Sequence, residues 1–511
     1  MDGSGIVIDP HLPRTDIIAL ENLIGDIREA RAAVATDDVP GAAQSGSALT
    51  VDGAGNTTAT ARSGSPNGSG GALLPGDDLE AVASGRATPH GGNAATDRRS
   101  RRSSPSSAGH SAKQQMPKRD GVVLDKDARH KLAQEALESL SDPKHPNFEP
   151  TVFVSVDLKD LKLPAFVDRY LLRPYIRVAQ NVVRYKTDVV MLTHLIIYFT
   201  TSIPSTIWLF WSFTWTHAVI HFLMQLFYMP TYTLMMHQHI HQRGVLAKGW
   251  PSLIDHAFPY ILDPLMGHTW NSYYYHHVKH HHVEGNGPGD LSSTIYFQRD
   301  NPWHFAQYVG RFYFLIWLDL PLYFFRTRKY KLSAKSAFSE LGSYAAMYCL
   351  WRFVNARAAF MAVILPFLLL RAAFMAGNWG QHAFVDWEDA DSDYRSSITL
   401  IDVPSNRYCF NDGYHTSHHL NPLRHWRQHP VSFIKEKETY ARERALVFHG
   451  LDFNMITIKC LQKDYMYLAQ KLVPMGAQIH MTMEERAEML RQHTRQFTKE
   501  DIARKFRTPS S

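Results

Sequence analysis

The chain has 511 residues, of which 45% are hydrophobic, 12% aromatic and 20% charged, with a formal net charge of +6. That length accommodates several domains of roughly 150 residues each, and so mild and dispersed a positive balance excludes a dedicated nucleic-acid binder, which concentrates its basic residues on one face. Cys349, Cys409 and Cys460 are the only cysteines, too few for a disulfide framework or a thiolate-rich zinc or iron–sulfur site, whereas histidine is abundant at 28 residues.

A mean hydropathy of −0.26 reads as soluble, but polar and apolar residues are segregated along the chain. Ile17, Ile18, Leu20, Leu23, Ile24 and Ile27 recur near helical spacing and predict an amphipathic helix over Thr15–Ala33. From about Val34 to Arg119, runs such as Ser63–Gly71 and Ser100–Ala108 are rich in Ser, Gly and Ala and nearly devoid of aromatics. Such a segment buries too little apolar surface to offset its ordering entropy and is predicted to be disordered, with the Arg98–Arg102 cluster as part of a solvated tail. The N-terminus lacks a basic region followed by an apolar core, and Asp2, Asp9 and Asp16 count against a transit peptide, so membrane targeting is expected from internal segments.

Residues 121–186 read as a cytosolic or interfacial helical segment, with a helix over Lys126–Leu140 and an aromatic and basic stretch from Phe166 to Arg184. Hydropathy then rises. Val189–Phe213 and Trp215–Met236 are each long enough to cross a hydrocarbon core of about 30 Å and predict a transmembrane hairpin turning near Ser212–Trp215. A second hairpin is expected from Leu341–Val354 and Ala358–Ala376, with Phe305–Phe325 in the interface. That choice keeps Arg326, Arg328, Lys329 and Lys331 on the cytosolic side; the alternative pairs Phe305–Phe325 with Ala358–Ala376. After Gly377 the chain is polar, with helices expected over Lys435–Ala445, Met455–Leu472 and Thr482–Lys505 and no chemistry of its own in the tail. The expected architecture is therefore all-α and polytopic: about four transmembrane helices in two hairpins, a cytosolic histidine-bearing cap and a long disordered N-terminal tail. The boundaries are 1–120, 121–186, 187–430 for the membrane domain, and 431–511 for a cytosolic helical extension.

The histidines fall into clusters at the ends of these spans. His237 and His241 are four apart, on one helical face. The second cluster, His276 to His282, contains both H-x-x-H-H (His277, His280, His281) and H-x-x-x-H-H (His277, His281, His282), and its register is open. Asn378 and His382 are again four apart, and His415, His418 and His419 form a last H-x-x-H-H. Neutral imidazole suits Fe, Zn, Cu or Ni. Eight to ten imidazoles exceed what one ion holds, since tetrahedral zinc takes about four, so two ions are implied. Without carboxylate ligands the cations keep most of their charge, and an oxygen-activating pair in this field points to iron.

From roughly Val189 to Pro430 this pattern resembles the integral-membrane fatty acid desaturase/hydroxylase superfamily. The resemblance implies a diiron centre that activates O2, the co-substrate, and abstracts hydrogen from an unactivated acyl chain carried by a lipid or by CoA. Carried over position by position, His237 and His241 match the first box and His277 with His280, His281 or His282 the second. His382 matches a single further ligand, His415, His418 and His419 the third box, and Asn378 a position that approaches iron through water. The third box begins with His415 rather than Gln, and no His-Pro-Gly-Gly haem motif occurs. Electrons are thus expected from a separate carrier such as cytochrome b5 or ferredoxin, and the membrane is expected to be that of the endoplasmic reticulum. Glu284, Asp290, Asp386, Asn411 and Asp412 flank the boxes as candidates to orient metal-bound imidazoles. Desaturation is the expected reaction; hydroxylation shares every ligand. A histidine-rich divalent-metal transporter is the rival from another class, but transporters line their pathway inside the spans, and His194, His217 and His221 lack acidic partners in the sequence.

Overall fold

The computed structural model describes residues 6–9, 12–37, 125–154, 158 and 162–506. The predicted disordered stretch lies outside these residues except for Val34–Asp37, where the first helix, Arg14–Asp37, continues past its predicted end. The Arg98–Arg102 cluster lies outside them as well.

Among the described residues, two helices are long and apolar enough to cross a membrane, Val189–Trp211 and Ala356–Gln381. Between the first of these and the 28-residue helix Trp215–Gln242 the chain turns over Ser212–Thr214, as predicted, and the Thr214 side chain caps the second helix by accepting from the His217 N–H. Trp215–Gln242 carries His217, His221, Gln225 and Thr233 among its apolar residues and continues without a break through His237 and His241. Pro302–Arg326 packs closely along Tyr330–Cys349, which starts at Tyr330 rather than Leu341 and so takes in Lys331 and Lys335. A π-helical turn, Leu350–Val354, and Asn355 lead into Ala356–Gln381. Trp208, Trp211 and Trp215 crowd the first turn and Trp351 and Phe353 the second, all exposed. Amphipathic aromatics at helix ends are what a membrane–water boundary selects.

The chain is mostly helical but not all-α. Ile398–Ile401 pairs in parallel with Leu446–His449, Ile398 opposite Leu446 and Ile401 opposite His449. Both strands are buried throughout, which suits short apolar and β-branched runs with no polar face. Other predicted helices are interrupted. Met455–Leu472 divides into Phe453–Leu461 and Tyr465–Lys471, because Lys463 adopts φ 58° and Asp464 caps the next helix at the Tyr467 N–H. Lys435–Ala445 and Thr482–Lys505 divide likewise, the latter at Thr498, whose capping box with Asp501 starts Lys499–Lys505.

The amphipathic N-terminal helix has a definite seat. Leu20, Leu23, Ile24 and Ile27 are buried in one core with Leu137 and Leu140 of the Lys126–Ser141 helix and with Ile401, Tyr414, Val431 and Phe433. Full burial of such side chains contributes roughly 1.5–3 kcal/mol each before ordering costs.

Candidate metal centre

Each box is positioned by a different local device. His237 and His241 stand one turn apart on a continuous α-helix, ring centroids 4.7 Å apart. The second box lies on the π-helix Tyr274–His281, whose i→i+5 bonding widens the turn so that residues four and five apart share a face. His277 consequently lies near both His281 and His282, at 5.5 Å and 4.5 Å between ring centroids. His382 caps the C-terminus of the Ala356–Gln381 segment. His415, His418 and His419 occupy a helix of six residues, His415–Leu420.

These elements bring the imidazoles into two adjoining groups. His237, His241, His277, His282 and His418 offer nitrogens all within 4.8 Å of one another, as do His281, His382 and His419. His415 joins the second group, its Nε2 3.3 Å from that of His382. The groups touch across His282 and His419, 5.1 Å between ring centroids. In the first group four Nε2 atoms close a ring: His237 to His277 at 2.8 Å, His277 to His282 at 3.1 Å, His282 to His418 at 2.8 Å, and His418 to His237 at 3.1 Å. A neutral imidazole nitrogen carries one proton or one in-plane lone pair, so at most two of those four contacts can be proper hydrogen bonds. Converging lone pairs call for a shared cation instead. His241 Nε2 and His419 Nε2 are moreover buried without a hydrogen-bond partner. Burial first, and neighbouring imidazoles second, hold His277, His282, His415 and His418 well below the usual histidine range, which keeps them neutral. The residues fit metal ions.

The second-group rings are oriented from behind. His281 Nδ1 lies 2.7 Å from Asp290 Oδ2, His382 Nδ1 2.7 Å from the Ser396 carbonyl and His419 Nδ1 3.6 Å from Asp393 Oδ1. An acceptor at Nδ1 fixes the proton there and leaves Nε2 as the ligand atom. Asp290 is buried and also accepts from the Asn286 N–H and from the Ser292 N–H and hydroxyl. Burial alone would raise its carboxyl, but His281 and the other partners more than offset this and hold it below the usual carboxylate range.

Several expected roles fall elsewhere. The Leu291 N–H donates to His280 Nε2 at 2.8 Å, which occupies that lone pair and leaves the His280 proton on Nδ1. His280 belongs with His276 and Asp290, a separate group, so only the H-x-x-x-H-H spacing of the second box meets the two imidazole groups. Asn378 gives its Nδ2 to the Ser292 carbonyl (3.1 Å) and the Tyr308 hydroxyl (2.6 Å). Glu284 bonds Tyr323, Asp386 pairs with Arg395 and Arg444, and Asn411 donates to the Trp426 carbonyl. Asp393 and the Ser396 carbonyl carry no sequence signature of their own; only proximity in the fold reveals them.

A cavity of about 820 Å³ adjoins the groups, reached by His237, His277, His281 and His415. Its wall is mainly apolar, including Phe312, Ile316, Leu370 and Phe374, and it extends to Leu226, Phe227 and Leu369, which are exposed on the outer apolar surface. A buried polar knot also lines it: Arg371 pairs with Glu340 at 2.7 Å, and Tyr344 and Thr269 bond the same carboxylate.

Residues 212–450 match the family model of the fatty acid desaturases. Over this segment the chain is a member of the membrane fatty acid desaturase/hydroxylase superfamily. The match spans all four histidine clusters and both strands. No curated protein and no solved structure matches the chain. The superfamily membership, the apolar helices and the histidine groups together make this a membrane-associated oxidoreductase type acting on fatty acids.

Proposed function

We propose that the protein is an O2-dependent diiron desaturase that introduces a double bond into the acyl chain of a lipid or acyl-CoA. The observation that carries this reading is the pair of adjoining, buried imidazole groups opening onto a mainly apolar cavity. His237, His241, His277, His282 and His418 would hold one iron, and His281, His382, His415 and His419 the other; bound there, the pair supplies O2 activation for hydrogen abstraction. The chain's own contribution is positional. Phe312, Ile316, Leu370 and Phe374 exclude water and lay a methylene run against the metal-facing histidines, and Asp290, Asp393 and the Ser396 carbonyl hold the imidazoles aligned. Asn378, tied to Ser292 and Tyr308 at the cavity wall, would order a water there.

In this reading Val189–Trp211 with Trp215–Gln242, and Tyr330–Val354 with Ala356–Gln381, are the two membrane hairpins, their histidine ends on the cytosolic side of the endoplasmic reticulum. A separate carrier such as cytochrome b5 or ferredoxin would deliver electrons to that side. Expression in a host that lacks the activity, followed by lipid analysis, tests the proposal. A new unsaturated acyl chain is expected from the intact protein and none from His415→Ala. A new hydroxylated chain would instead identify the oxygen-inserting branch of the superfamily, and an unchanged product from His415→Ala would refute the metal assignment.

A further inference from the structure

The six-residue helix that carries the third box is too short to hold itself; isolated helices are marginal below about 12–15 residues. What precedes it is conformationally demanding. Asp402, Phe410 and Asn411 all take left-handed backbone angles, φ 63°, 58° and 56°, uncommon for side chains other than Gly. A Cβ on Gly413 would meet the Leu400 carbonyl and, at 2.5 Å, Asn406 Oδ1. Such a segment persists only where its surroundings over-determine it.

Those surroundings include a residue from the far end of the chain. Asp16, on the N-terminal helix, is fully buried. Its Oδ1 accepts from the Tyr414 hydroxyl at 2.8 Å, and its Oδ2 accepts from Asn406 Nδ2 at 3.0 Å and the Asp402 N–H at 3.1 Å. Asn406 passes the constraint on, its Oδ1 accepting from the Gly413 N–H at 2.8 Å. One carboxylate therefore ties both ends of the 402–414 loop. Tyr414 is the residue immediately before His415 and the N-cap position of the box helix; its side chain makes no cap bond and is committed to Asp16. Elsewhere the N-terminal helix is held by different contacts: Asp26 pairs with Lys437 and Arg129, and Asn22 accepts from Lys437.

We infer that Asp16 is a positioning residue for the metal centre: through Tyr414 and Asn406 it sets the orientation in which His415, His418 and His419 meet their ions. The N-terminal helix, which lies outside the family-matching segment, is thus a working part of the site. The inference rests on the proposed ligand roles of the third box, but not on the identity of the metal or the reaction.

The test uses the full-length chain in detergent, loaded with Co2+, whose visible absorption reports ligand geometry, and compares Asp16→Ala and Tyr414→Phe with the wild type. Asp26→Ala is the control that loosens the same helix without touching the loop. Asp16→Ala and Tyr414→Phe are expected to shift the Co2+ spectrum and to release metal roughly tenfold faster, the low end for groups that orient metal ligands, while Asp26→Ala leaves the spectrum unchanged. The two substitutions combined should be no worse than Asp16→Ala alone, because they break one chain of contacts. If Asp16→Ala does not fold, Tyr414→Phe, which removes a single hydroxyl, decides alone. Wild-type spectra and release rates in Asp16→Ala and Tyr414→Phe, or an equal disturbance by Asp26→Ala, would overturn the inference. Expected Co2+ responses together with no oxidised lipid from the iron-supplied protein in the expression host would leave this inference standing and remove the desaturase reading.

Discussion

Asp290 offers the sharpest quantitative test of how the two imidazole groups differ. It touches the second group through His281 and bonds none of the five histidines of the first. Asp290→Asn keeps the volume but removes the charge. Both carboxylate oxygens now accept, Oδ2 from His281 and the Asn286 N–H, Oδ1 from the Ser292 N–H and hydroxyl. An amide supplies one acceptor, so its NH2 must face donors on one side or the other. A hydrogen bond to a charged group contributes about 1.5–3 kcal/mol, and about 1.4 kcal/mol is a factor of ten in affinity. Losing the His281 bond in its charged form should weaken metal binding about 10-fold to 100-fold at the second group and little at the first. Purified protein dialysed against a graded chelator, with iron per chain measured by mass spectrometry, reads this directly. The variant should pass through a plateau with one ion retained where the wild type keeps two. Simultaneous loss of both ions, or a wild-type chelator profile, would refute the argument that Asp290 acts through His281.

Further outcomes follow from the same geometry. His280→Ala should retain both ions and His281→Ala should lose one, since the Leu291 N–H already occupies His280 Nε2; iron stoichiometry distinguishes them. Gly377 lines the cavity and nothing lies within 4 Å of a Cβ built there. Gly377→Leu should fold, gain about 1 kcal/mol of helix propensity, keep its iron and give less product or product from shorter chains, as lipid analysis would record. Glu340→Gln leaves Arg371 buried with its charge unpaired; thermal unfolding in detergent should report a loss of about 3–5 kcal/mol, and replacing both residues by Met a smaller one. Burial raises the Asp16 carboxyl to about 6 from 3.8, against the lowering effect of its Asn406, Tyr414 and Asp402 bonds, with Asp402 and Lys471 also facing that corner. The folded state then holds more protons than the unfolded one, so the seat of the N-terminal helix is firmest below about pH 4 and loses up to about 3 kcal/mol as pH rises through 6. Hydrogen exchange of residues 14–37, corrected for intrinsic rates, should show that trend in the wild type and not in Asp16→Asn.

How much of this could be read from the sequence depends on how local each determinant is. The apolar runs and the 3.6-residue spacing of Ile17 to Ile27 located helices, and paired histidine spacings located the imidazoles that the fold brings together, because both are properties of a few consecutive residues. The register of the second box was open because both spacings are present in His277–His282. Which of its histidines meet the two imidazole groups follows from a π-helical turn and one backbone amide, Leu291, neither of which has a side-chain signature. The strands at Ile398–Ile401 and Leu446–His449 are four residues each and owe their form to one another. The same holds for the polar neighbours: of the four acids and one amide flanking the boxes, Asp290 bonds a box histidine, whereas Asp393 and Asp16 make their contacts from positions that spacing does not single out. The interruption at Lys463 depends on a left-handed residue that propensity alone does not mark.

The two histidine-bearing segments that follow the last apolar helix are each held by an end of the chain that the family-matching segment 212–450 does not include. On one side Asp16 secures the loop before His415. On the other, Arg299 is fully buried and donates to the Ala383 carbonyl, next to His382, and to the carbonyls of His493 and Arg495. The Val385 N–H also donates to the His493 carbonyl, and the Thr294 hydroxyl to the carbonyl of His382. A guanidinium cannot shed its charge in place of lost partners, so the C-terminal carbonyls are structural requirements of the His382 corner rather than incidental contacts. The apolar helices carry His237, His241 and Asn378 near their ends. They cannot orient a six-residue helix or the turn after Gln381, and the metal centre acquires that order from polar contacts supplied by residues 16 and 493–495. The polar contacts of residues 16 and 493–495 therefore hold the loop before His415 and the turn after Gln381, which the apolar helices do not reach.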